Sequence, residues 1–215
     1  MDALIFDLDG TLINSMWVWK KADNEVLKKY GHEIDDEYLE HVSKFNNRQC
    51  LEYIIERYKI PATVEELGRQ INGAAFRHYC EDVKLKNGVY EYIKAMKEKG
   101  VKMAVTTSCL RAMCEAVLKK HGIFDDFDVF VYSDEFGKNK SYPDIYIETA
   151  NRLNVMPNSC VVFEDLPAAA ESAKRAGMKV VGVYDEFSGN KETMMRVICH
   201  DYIKDFCQYY TKNGL

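Results

Sequence analysis

The chain contains 215 residues, with 29 basic and 34 acidic side chains and a formal net charge of −5 at pH 7. This length is sufficient for one substantial core, carried by a single domain or by a domain with an insertion. The negative charge and the lack of any basic block argue against a nucleic acid as the main partner. No apolar run reaches the roughly 20 residues of a membrane span, and the first residues have no signal-peptide pattern.

The cysteine pattern predicts a reducing compartment. The seven cysteines form an odd number and show neither CxxC nor zinc-type spacing. We therefore expect free thiols in a cytoplasmic protein that has no membrane partner. The sequence leaves the oligomeric state open, and a monomer is compatible with it.

The first predicted element is a short apolar strand at residues 4–6, which Asp7 and Asp9 follow directly. Residues 16–82 contain no convincing strand, and helical patterns lie at 17–31, 35–45, 48–60 and 63–83. We therefore predict a core domain formed by residues 1–15 and 83–215, with a helical cap domain inserted at 16–82. The two chain crossings between these domains suit a hinge, because few contacts need to cross them.

From residue 84 onwards, short apolar runs alternate with helix-like segments, which is typical of a parallel α/β sheet. The apolar runs are at 101–106, 128–132, 160–164 and 179–184, and the clearest helical patterns are at 110–122, 142–154 and 166–177. We therefore predict an α/β fold in which a Rossmann-like parallel sheet forms the core and the helical cap is an insertion.

Polar side chains follow four of the predicted strands. They are Asp7 and Asp9 after the first, Thr107 and Ser108 after the second, Lys138 and Lys140 after the third, and Glu164 and Asp165 at the end of the fourth. Because ligands bind at the carboxyl ends of parallel strands, we expect these groups to converge on one site.

The chemistry of these groups indicates a phosphate site. Carboxylates held ~4 Å apart repel by about 4 kcal/mol at an effective dielectric constant near 20, so the cluster favours a cation. Oxygen ligands without cysteine or histidine suit Mg²⁺ better than zinc. Mg²⁺ beside a lysine, a hydroxyl group and turn N–H groups can bind a phosphate. One aspartate can then attack phosphorus, while a second aspartate two residues further on transfers the proton.

Four motifs in order carry a family resemblance: FDLDGTL, AVTTS, KSYPDIY and VFEDLPAAAESAKRAG. The chain resembles the haloacid dehalogenase-like (HAD) superfamily, in which DxDGT contains the nucleophile and the acid/base aspartate. The motifs span essentially the whole predicted sheet domain. A helical cap inserted after the first motif is similar to the phosphoglycolate phosphatase and β-phosphoglucomutase-like branch.

The resemblance implies a role for each motif residue. Asp7 resembles the phosphorylated nucleophile, and Asp9 resembles the general acid/base, which also offers a backbone carbonyl to Mg²⁺. Thr107 and the backbone of Ser108 resemble the phosphate-binding position, and Lys140 matches the motif lysine. The resemblance places the metal at Asp7, Asp9, Glu164 and Asp165. In the cap, Arg48 stands where related caps carry a substrate-facing arginine, and Trp19 is a candidate for lining the leaving-group pocket.

Several positions depart from the family pattern. Leu166 and Ala169 replace a small hydroxyl residue and a glycine after the acidic pair. Trp19 and Ile71 stand where mutases of this branch carry a cap histidine and a cap lysine. These two positions favour a Mg²⁺-dependent phosphatase, acting on a small phosphorylated metabolite through an aspartyl-phosphate intermediate, over a sugar phosphomutase. A phosphometabolite-binding protein without turnover is a third interpretation, and the substrate is open.

Overall fold

The computed structural model describes residues 1–42, 45 and 47–212 and divides the chain into two compact units. The sheet unit comprises Met1–Met16 and Val83–Leu215, and the helical unit comprises Trp17–Asp82. Residues 43 and 44 of the predicted helix at 35–45 and the last three residues of the predicted core domain lie outside the described residues. In the described part of the chain, no helix has the length and apolar character needed to cross a membrane.

All strands found in the described residues belong to the sheet unit. They are β1 (Ala3–Phe6), β2 (Ile13–Asn14), β3 (Lys84–Leu85), β4 (Lys102–Thr107), β5 (Val129–Tyr132), β6 (Cys160–Glu164), β7 (Lys179–Val183) and β8 (Asp201–Ile203). The helices of the helical unit are α1 (Val18–Lys29), α2 (Asp36–Val42), α3 (Asn47–Tyr58) and α4 (Val64–Glu81). Those of the sheet unit are α5 (Val89–Glu98), α6 (Arg111–Lys120), α7 (Ser133–Phe136), α8 (Asp144–Arg152), α9 (Pro167–Arg175), α10 (Glu192–Ile198) and α11 (Phe206–Lys212).

β1 lies inside a six-stranded parallel sheet with the strand order β5-β4-β1-β6-β7-β8. Phe6, the last residue of β1, pairs with Val105 of β4 and with Phe163 of β6. Later strands extend the sheet in one direction through β4 and in the other through β6, so the strand order reverses at β1. Ligands of open α/β sheets bind at the carboxyl ends of strands beside such a point. Asp7 stands there, and the predicted α/β parallel-sheet fold is confirmed.

Both faces of β1 are covered, which explains its uninterrupted apolar sequence. Ile5 belongs to a buried aliphatic cluster with Val162 of β6 and Val180 of β7. Phe6 points to the opposite face, where its ring stacks on Phe163 with a centroid distance of 5.0 Å. Because neighbouring side chains of a strand alternate between faces, β1 contributes to both cores and is fixed in register.

The helical unit is organised around α4, on which α1 and α3 pack. Leu67 and Ile71 of α4 and Val26 of α1 are among its buried side chains. A capping box begins α4: Thr63 Oγ1 accepts the backbone N–H of Glu66, and the Glu66 carboxylate accepts the backbone N–H of Thr63. This cap satisfies two otherwise orphaned donors and defines where the helix starts.

The structure also contains elements that the sequence analysis did not predict. They are the antiparallel pair β2 and β3, the edge strand β8, the short helix α7, and the helices α5, α10 and α11. The paired residues of β2 and β3 are Ile13 with Leu85 and Asn14 with Lys84. Two residues per strand are too few to show an alternating pattern, so this pair has no signal in the sequence.

Candidate active site

Asp7 occupies the first position after β1, at the carboxyl edge of the sheet. Its backbone N–H donates to the carbonyl oxygen of Phe163 at 3.0 Å, which continues the parallel pairing beyond β1. Its carboxylate oxygen Oδ1 accepts a hydrogen bond from Lys140 Nζ at 2.5 Å. The second oxygen, Oδ2, is buried and has no hydrogen-bond partner among the described residues. One oxygen of Asp7 is thus held, while the other can bind a cation or attack an electrophile.

Asp7, Glu164 and Asp165 form a buried acidic cluster at this edge. Each can present one carboxylate oxygen such that the three atoms lie within 4.8 Å of one another. Charges at such distances repel strongly in a site from which water is largely excluded. A divalent cation that prefers oxygen ligands fits this donor set and the orphaned Oδ2 of Asp7, and Mg²⁺ has that preference.

Lys140 is the cationic partner of this cluster and is only 8% exposed. Its ammonium group donates to Asp7 and lies 3.0 Å from both carboxylate oxygens of Glu164. Burial disfavours the charged lysine, but the negative charges of Asp7 and Glu164 outweigh burial and raise the pKa of Lys140 well above its usual range. Burial and the charge of Asp7 also raise the pKa of Glu164. When all three acidic side chains are ionised, one ammonium group does not balance their charge, so the ionised cluster favours a further cation.

The turn after β1 is shaped by Gly10. Its φ is +81°, a left-handed conformation that favours glycine, and its N–H donates to the carbonyl oxygen of Ile13 at 3.0 Å. A Cβ atom at position 10 would lie 2.7 Å from Asp165 Oδ2. Glycine is therefore needed both for the backbone conformation and for the close approach of the acidic cluster.

Asp9 is held by a residue that the sequence analysis did not identify. Ser15 Oγ donates to Asp9 Oδ1 at 2.6 Å, and Ser15 is 1% exposed. A hydrogen bond from a buried hydroxyl group fixes the rotamer of the carboxyl group. The sequence signal was weak, because a serine six residues after an aspartate has many other interpretations.

The end of β4 brings three hydroxyl groups together. Thr107 is fully buried, and its Oγ1 accepts the backbone N–H of Cys109 at 2.9 Å. That contact uses one acceptor position, so the hydroxyl proton of Thr107 can still be donated to a ligand. Ser108 Oγ lies 3.0 Å from Ser133 Oγ, and Ser133 Oγ also donates to the carbonyl oxygen of Thr107 at 3.2 Å. The turn at Thr107 and Ser108 is therefore fixed by hydrogen bonds on both sides.

Arg48 and Trp19, the predicted cap residues, lie in the helical unit. Arg48 is exposed near the start of α3, where its Nε donates to Glu52 Oε1 at 2.8 Å. Trp19 is on α1 with 38% of its surface exposed. Their roles in substrate binding stay predictions.

The departures at Leu166 and Ala169 lie at the start of α9. Leu166 is the N-cap residue of α9, Pro167 occupies its first turn, and Ala169 is buried. Proline at this position is preorganised for a helix start. Helix α9 thus begins directly after Asp165, and the departures leave both acidic side chains at the end of β6.

Comparisons with known proteins identify the family. The sequence profile of the haloacid dehalogenase-like hydrolases matches residues 4–183. A phosphorylated carbohydrates phosphatase of Thermotoga maritima is 30% identical over 192 residues, which cover 89% of each chain. Fructose-1-phosphate phosphatase YqaB of Escherichia coli is 31% identical over 180 residues, which cover 84% of this chain and 95% of that protein. The structure of a beta-phosphoglucomutase-like protein from Thermotoga maritima has a TM-score of 0.89 at 26% identity, with 100% of both chains covered.

The profile covers most of the chain, and both phosphatases align with more than four fifths of it at 30% and 31% identity. The chain therefore belongs to the haloacid dehalogenase-like hydrolase family. The resemblance inferred from the four motifs is confirmed. The prediction of an enzyme of the phosphatase class is confirmed as well, because relatives over nearly the whole chain are named as phosphatases.

Proposed function

We propose that this protein is a Mg²⁺-dependent phosphatase of a small phosphorylated carbohydrate and that it acts through an aspartyl-phosphate intermediate on Asp7. The observation that carries this proposal is that the two carboxylate oxygens of Asp7 have different surroundings. One oxygen is held by Lys140, and the other is buried without a hydrogen-bond partner among the described residues, next to Glu164 and Asp165. This is the arrangement expected for a nucleophile that shares its site with a cation.

In the first step, a carboxylate oxygen of Asp7 bonds to phosphorus, the ester bond breaks, and Asp9 donates its proton to the leaving oxygen. In the second step, a water molecule attacks phosphorus and loses a proton to Asp9. The bond between phosphorus and Asp7 then breaks and releases inorganic phosphate. We assign Lys140, the Thr107 hydroxyl group and the Ser108 N–H group to binding of the phosphoryl oxygens.

The acidic residues would hold the metal ion. We assign Asp7, Glu164 and Asp165 as side-chain ligands or near neighbours, and Asp9 as a ligand through its backbone carbonyl. When bound, Mg²⁺ supplies positive charge that offsets the charge of the phosphoryl group. Without that charge, an anionic nucleophile and an anionic substrate would repel each other across the buried site.

The substrate class is proposed from the relatives. The names of two of them refer to phosphorylated carbohydrates and to fructose 1-phosphate. Identity of about 30% to both, over most of the chain, supports a shared substrate class, whereas the individual sugar is set by side chains that differ between relatives. We therefore propose a sugar phosphate as substrate.

A sugar phosphomutase is the second candidate, and the likeness to a beta-phosphoglucomutase-like structure favours it. Trp19 and Ile71, which replace the cap histidine and lysine of mutases, favour hydrolysis instead. Conversion of β-glucose 1-phosphate to the 6-phosphate faster than phosphate release would establish the mutase. Binding of phosphate esters without any turnover would establish a binding protein.

The proposal is tested by measuring release of inorganic phosphate from an aryl phosphate and from a panel of sugar phosphates, with Mg²⁺ or with a chelator. We expect activity only with Mg²⁺, and a loss of at least about 10³-fold in Asp7→Asn. Lys140→Ala should also lose activity, because it removes the partner of Asp7. Its matched control is Lys138→Ala, which should stay active, because Lys138 is an exposed neighbour that pairs with Asp144. Full activity in Asp7→Asn, or hydrolysis that does not need the metal, would contradict the mechanism.

A further inference from the structure

An ion pair joins helix α6, which follows β4, to helix α7, which follows β5. Arg111, the first residue of α6, donates through Nε to Glu135 Oε1 at 2.7 Å and through Nη2 to Glu135 Oε2. The same guanidinium group lies 4.4 Å from the ring centroid of Tyr132, which is 1% exposed. A bidentate pair stacked on a fixed aromatic ring permits one orientation of α7 relative to α6. We name Arg111, Glu135 and Tyr132 the arginine clamp.

A second contact, closer to the sheet, joins α7 to the turn that follows β4. Ser133, at the start of α7, donates to the carbonyl oxygen of Thr107 and lies 3.0 Å from the hydroxyl oxygen of Ser108. Helix α7 therefore touches the Thr107–Ser108 turn through Ser133 and touches the start of α6 through Glu135. A one-turn helix has little stability of its own, so these contacts fix its position.

The position of α7 matters because of the path that the chain takes to Lys140. β5 and β1 are separated by β4 in the sheet, whereas Lys140 Nζ lies 2.5 Å from Asp7 beyond β1. With strands about 4.8 Å apart, the segment after β5 must cross roughly 10 Å of the sheet edge, in front of β4. The clamp and Ser133 hold the beginning of this crossing segment directly against the turn it passes.

We expect the arginine clamp to affect the position of α7 more than the stability of the protein. The side chains of Arg111 and Glu135 are 52% and 48% exposed, and exposed ion pairs contribute little to the free energy of unfolding. A small shift of a catalytic group, however, has a large effect on rate, because reacting groups must be held within fractions of an ångström.

We propose that Arg111 is a positioning residue of the active site. Through Glu135 and Tyr132 it holds α7 against the Thr107–Ser108 turn and so sets the distance between Lys140 and Asp7. This inference rests on the proposed phosphatase function, because it assigns Thr107, Ser108 and Lys140 to the phosphoryl group.

The test compares Arg111→Met, Glu135→Gln and the double variant with the native protein in the presence of Mg²⁺. We expect kcat for an aryl phosphate to fall about 10- to 100-fold in either single variant. The Tm should change by less than about 3 °C, since the pair is exposed. The double variant should be no worse than Arg111→Met, because both changes break one contact. Arg111→Lys should recover part of the rate, since lysine keeps the charge but not the bidentate geometry.

A matched control is Arg196→Met. Arg196 is an exposed arginine of α10 that pairs with Glu192 four residues earlier and stacks on Tyr202 of the edge strand β8, so it resembles Arg111 in its partners. Its removal should leave kcat unchanged, and an equal loss in Arg196→Met would assign the effect to surface charge and overturn the inference. Unchanged kcat in Arg111→Met, with an active native protein, would also overturn it.

Binding of inorganic phosphate, measured by calorimetry with Mg²⁺, separates this inference from the proposed function. A native protein that binds phosphate but does not turn over esters would contradict the proposed hydrolysis. The arginine clamp can still be tested in that case, because Arg111→Met should weaken phosphate binding at least about 5-fold. Equal affinity in the native protein and Arg111→Met would contradict the clamp. A native protein that neither binds phosphate nor turns over esters would overturn both.

Discussion

The chemistry of single residues in this site depends on how the Asp7 carboxylate is shared. Lys140 holds one oxygen and keeps its own positive charge because Asp7 and Glu164 raise its pKa. The other oxygen adjoins the remaining carboxylates of the cluster. A nucleophile in this setting is oriented before substrate arrives, which reduces the entropy lost in the reaction.

Gly10 tests how tightly the turn after β1 is fitted to the acidic cluster. In Gly10→Ala, the new methyl group would meet Asp165 Oδ2 at 2.7 Å, so the carboxylate must move. We expect the Mg²⁺ concentration for half-maximal activity to rise at least about 10-fold, since a displaced ligand weakens the metal site. A Mg²⁺ titration of activity measures this.

The control for Gly10→Ala is Gly122→Ala. Gly122 also has a positive φ, +68°, but a Cβ atom there would meet nothing within 4 Å. Both variants carry similar backbone strain, of about 1 kcal/mol, yet only Gly10→Ala disturbs the cluster. An unchanged Mg²⁺ requirement in Gly10→Ala would show that Asp165 does not depend on this close approach.

We expect the buried carboxyl group of Asp23, in the helical unit, to make the free energy of unfolding depend on pH. Burial raises its pKa to about 6 from 3.8, although the hydrogen bond from Tyr38 opposes this change. The folded protein therefore binds this proton more tightly than the unfolded chain. The protonated Asp23 side chain therefore contributes at most about 3 kcal/mol to the free energy of unfolding. This contribution is fully present below about pH 4 and is lost as the pH rises through about 6.

The comparison of native protein with Asp23→Asn isolates this effect. The amide keeps an oxygen that can accept from Tyr38 but does not titrate. We expect the variant to gain stability relative to the native protein as the pH rises from 4 to 7 in urea unfolding experiments. A constant difference over this range would contradict a raised pKa at Asp23.

The sequence predicted the residues at strand ends better than the residues that hold them. Lys140 was placed beside the acidic cluster because its position after a predicted strand and its motif spacing agree. Ser15 and Arg111 escaped prediction because no motif or periodic pattern links them to their partners, Asp9 and Glu135. Contacts of that kind leave no periodic signal in the chain.

At the scale of elements, the capping box of α4 makes a simple prediction. Thr63→Ala removes the side-chain acceptor of the Glu66 N–H, so one donor at the helix start loses its partner. We expect the free energy of unfolding to fall by about 1 kcal/mol. Urea unfolding measures it, and Thr211→Ala, an exposed change within α11, is the control expected to have a smaller effect. Equal effects would argue against a specific role for the cap.

The strands and helices differ in how well the sequence predicts them. β4, β6 and β7 appear as apolar runs because both faces of a parallel sheet are buried. β8 has three residues at an edge, and two of them, Asp201 and Tyr202, are only partly buried, so no such run forms. α5 has an amphipathic pattern, with Tyr92 and Met96 buried. A helix at these residues was therefore predictable from the alternation of strands and helices.

At the scale of the whole molecule, a metal ion held by the acidic cluster would couple metal binding to stability. A cation that binds only the folded protein raises the free energy of unfolding by about 2.7 kcal/mol at 100 times its Kd. We expect Mg²⁺ to raise the Tm of the native protein and to raise that of Asp165→Asn much less. In a chelator, Asp165→Asn should be at least as stable as the native protein, because one of the repelling carboxylates is gone.

Thermal unfolding with and without Mg²⁺ checks this coupling. Equal Mg²⁺ shifts in the native protein and in Asp165→Asn would contradict a metal site at this cluster. The convergence of the acidic residues on one site could be predicted from the sequence, because four ordered motifs fall at four strand ends and a parallel sheet brings such ends together. The identity of the proposed substrate is not accessible from the sequence, because it depends on side chains whose partners no motif specifies.

The central claim is that Asp7 becomes phosphorylated, and chemical trapping tests it most directly. Asp9→Asn should slow the release of phosphate from the intermediate, so the variant is mixed with an aryl phosphate and Mg²⁺, quenched in acid and reduced with borohydride. An acyl phosphate at Asp7 is thereby converted to homoserine, which peptide mass spectrometry locates at position 7. Homoserine at position 7, absent when Asp7→Asn is treated in the same way, is the predicted result. Turnover with an unmodified position 7, or homoserine at another aspartate, would contradict the account.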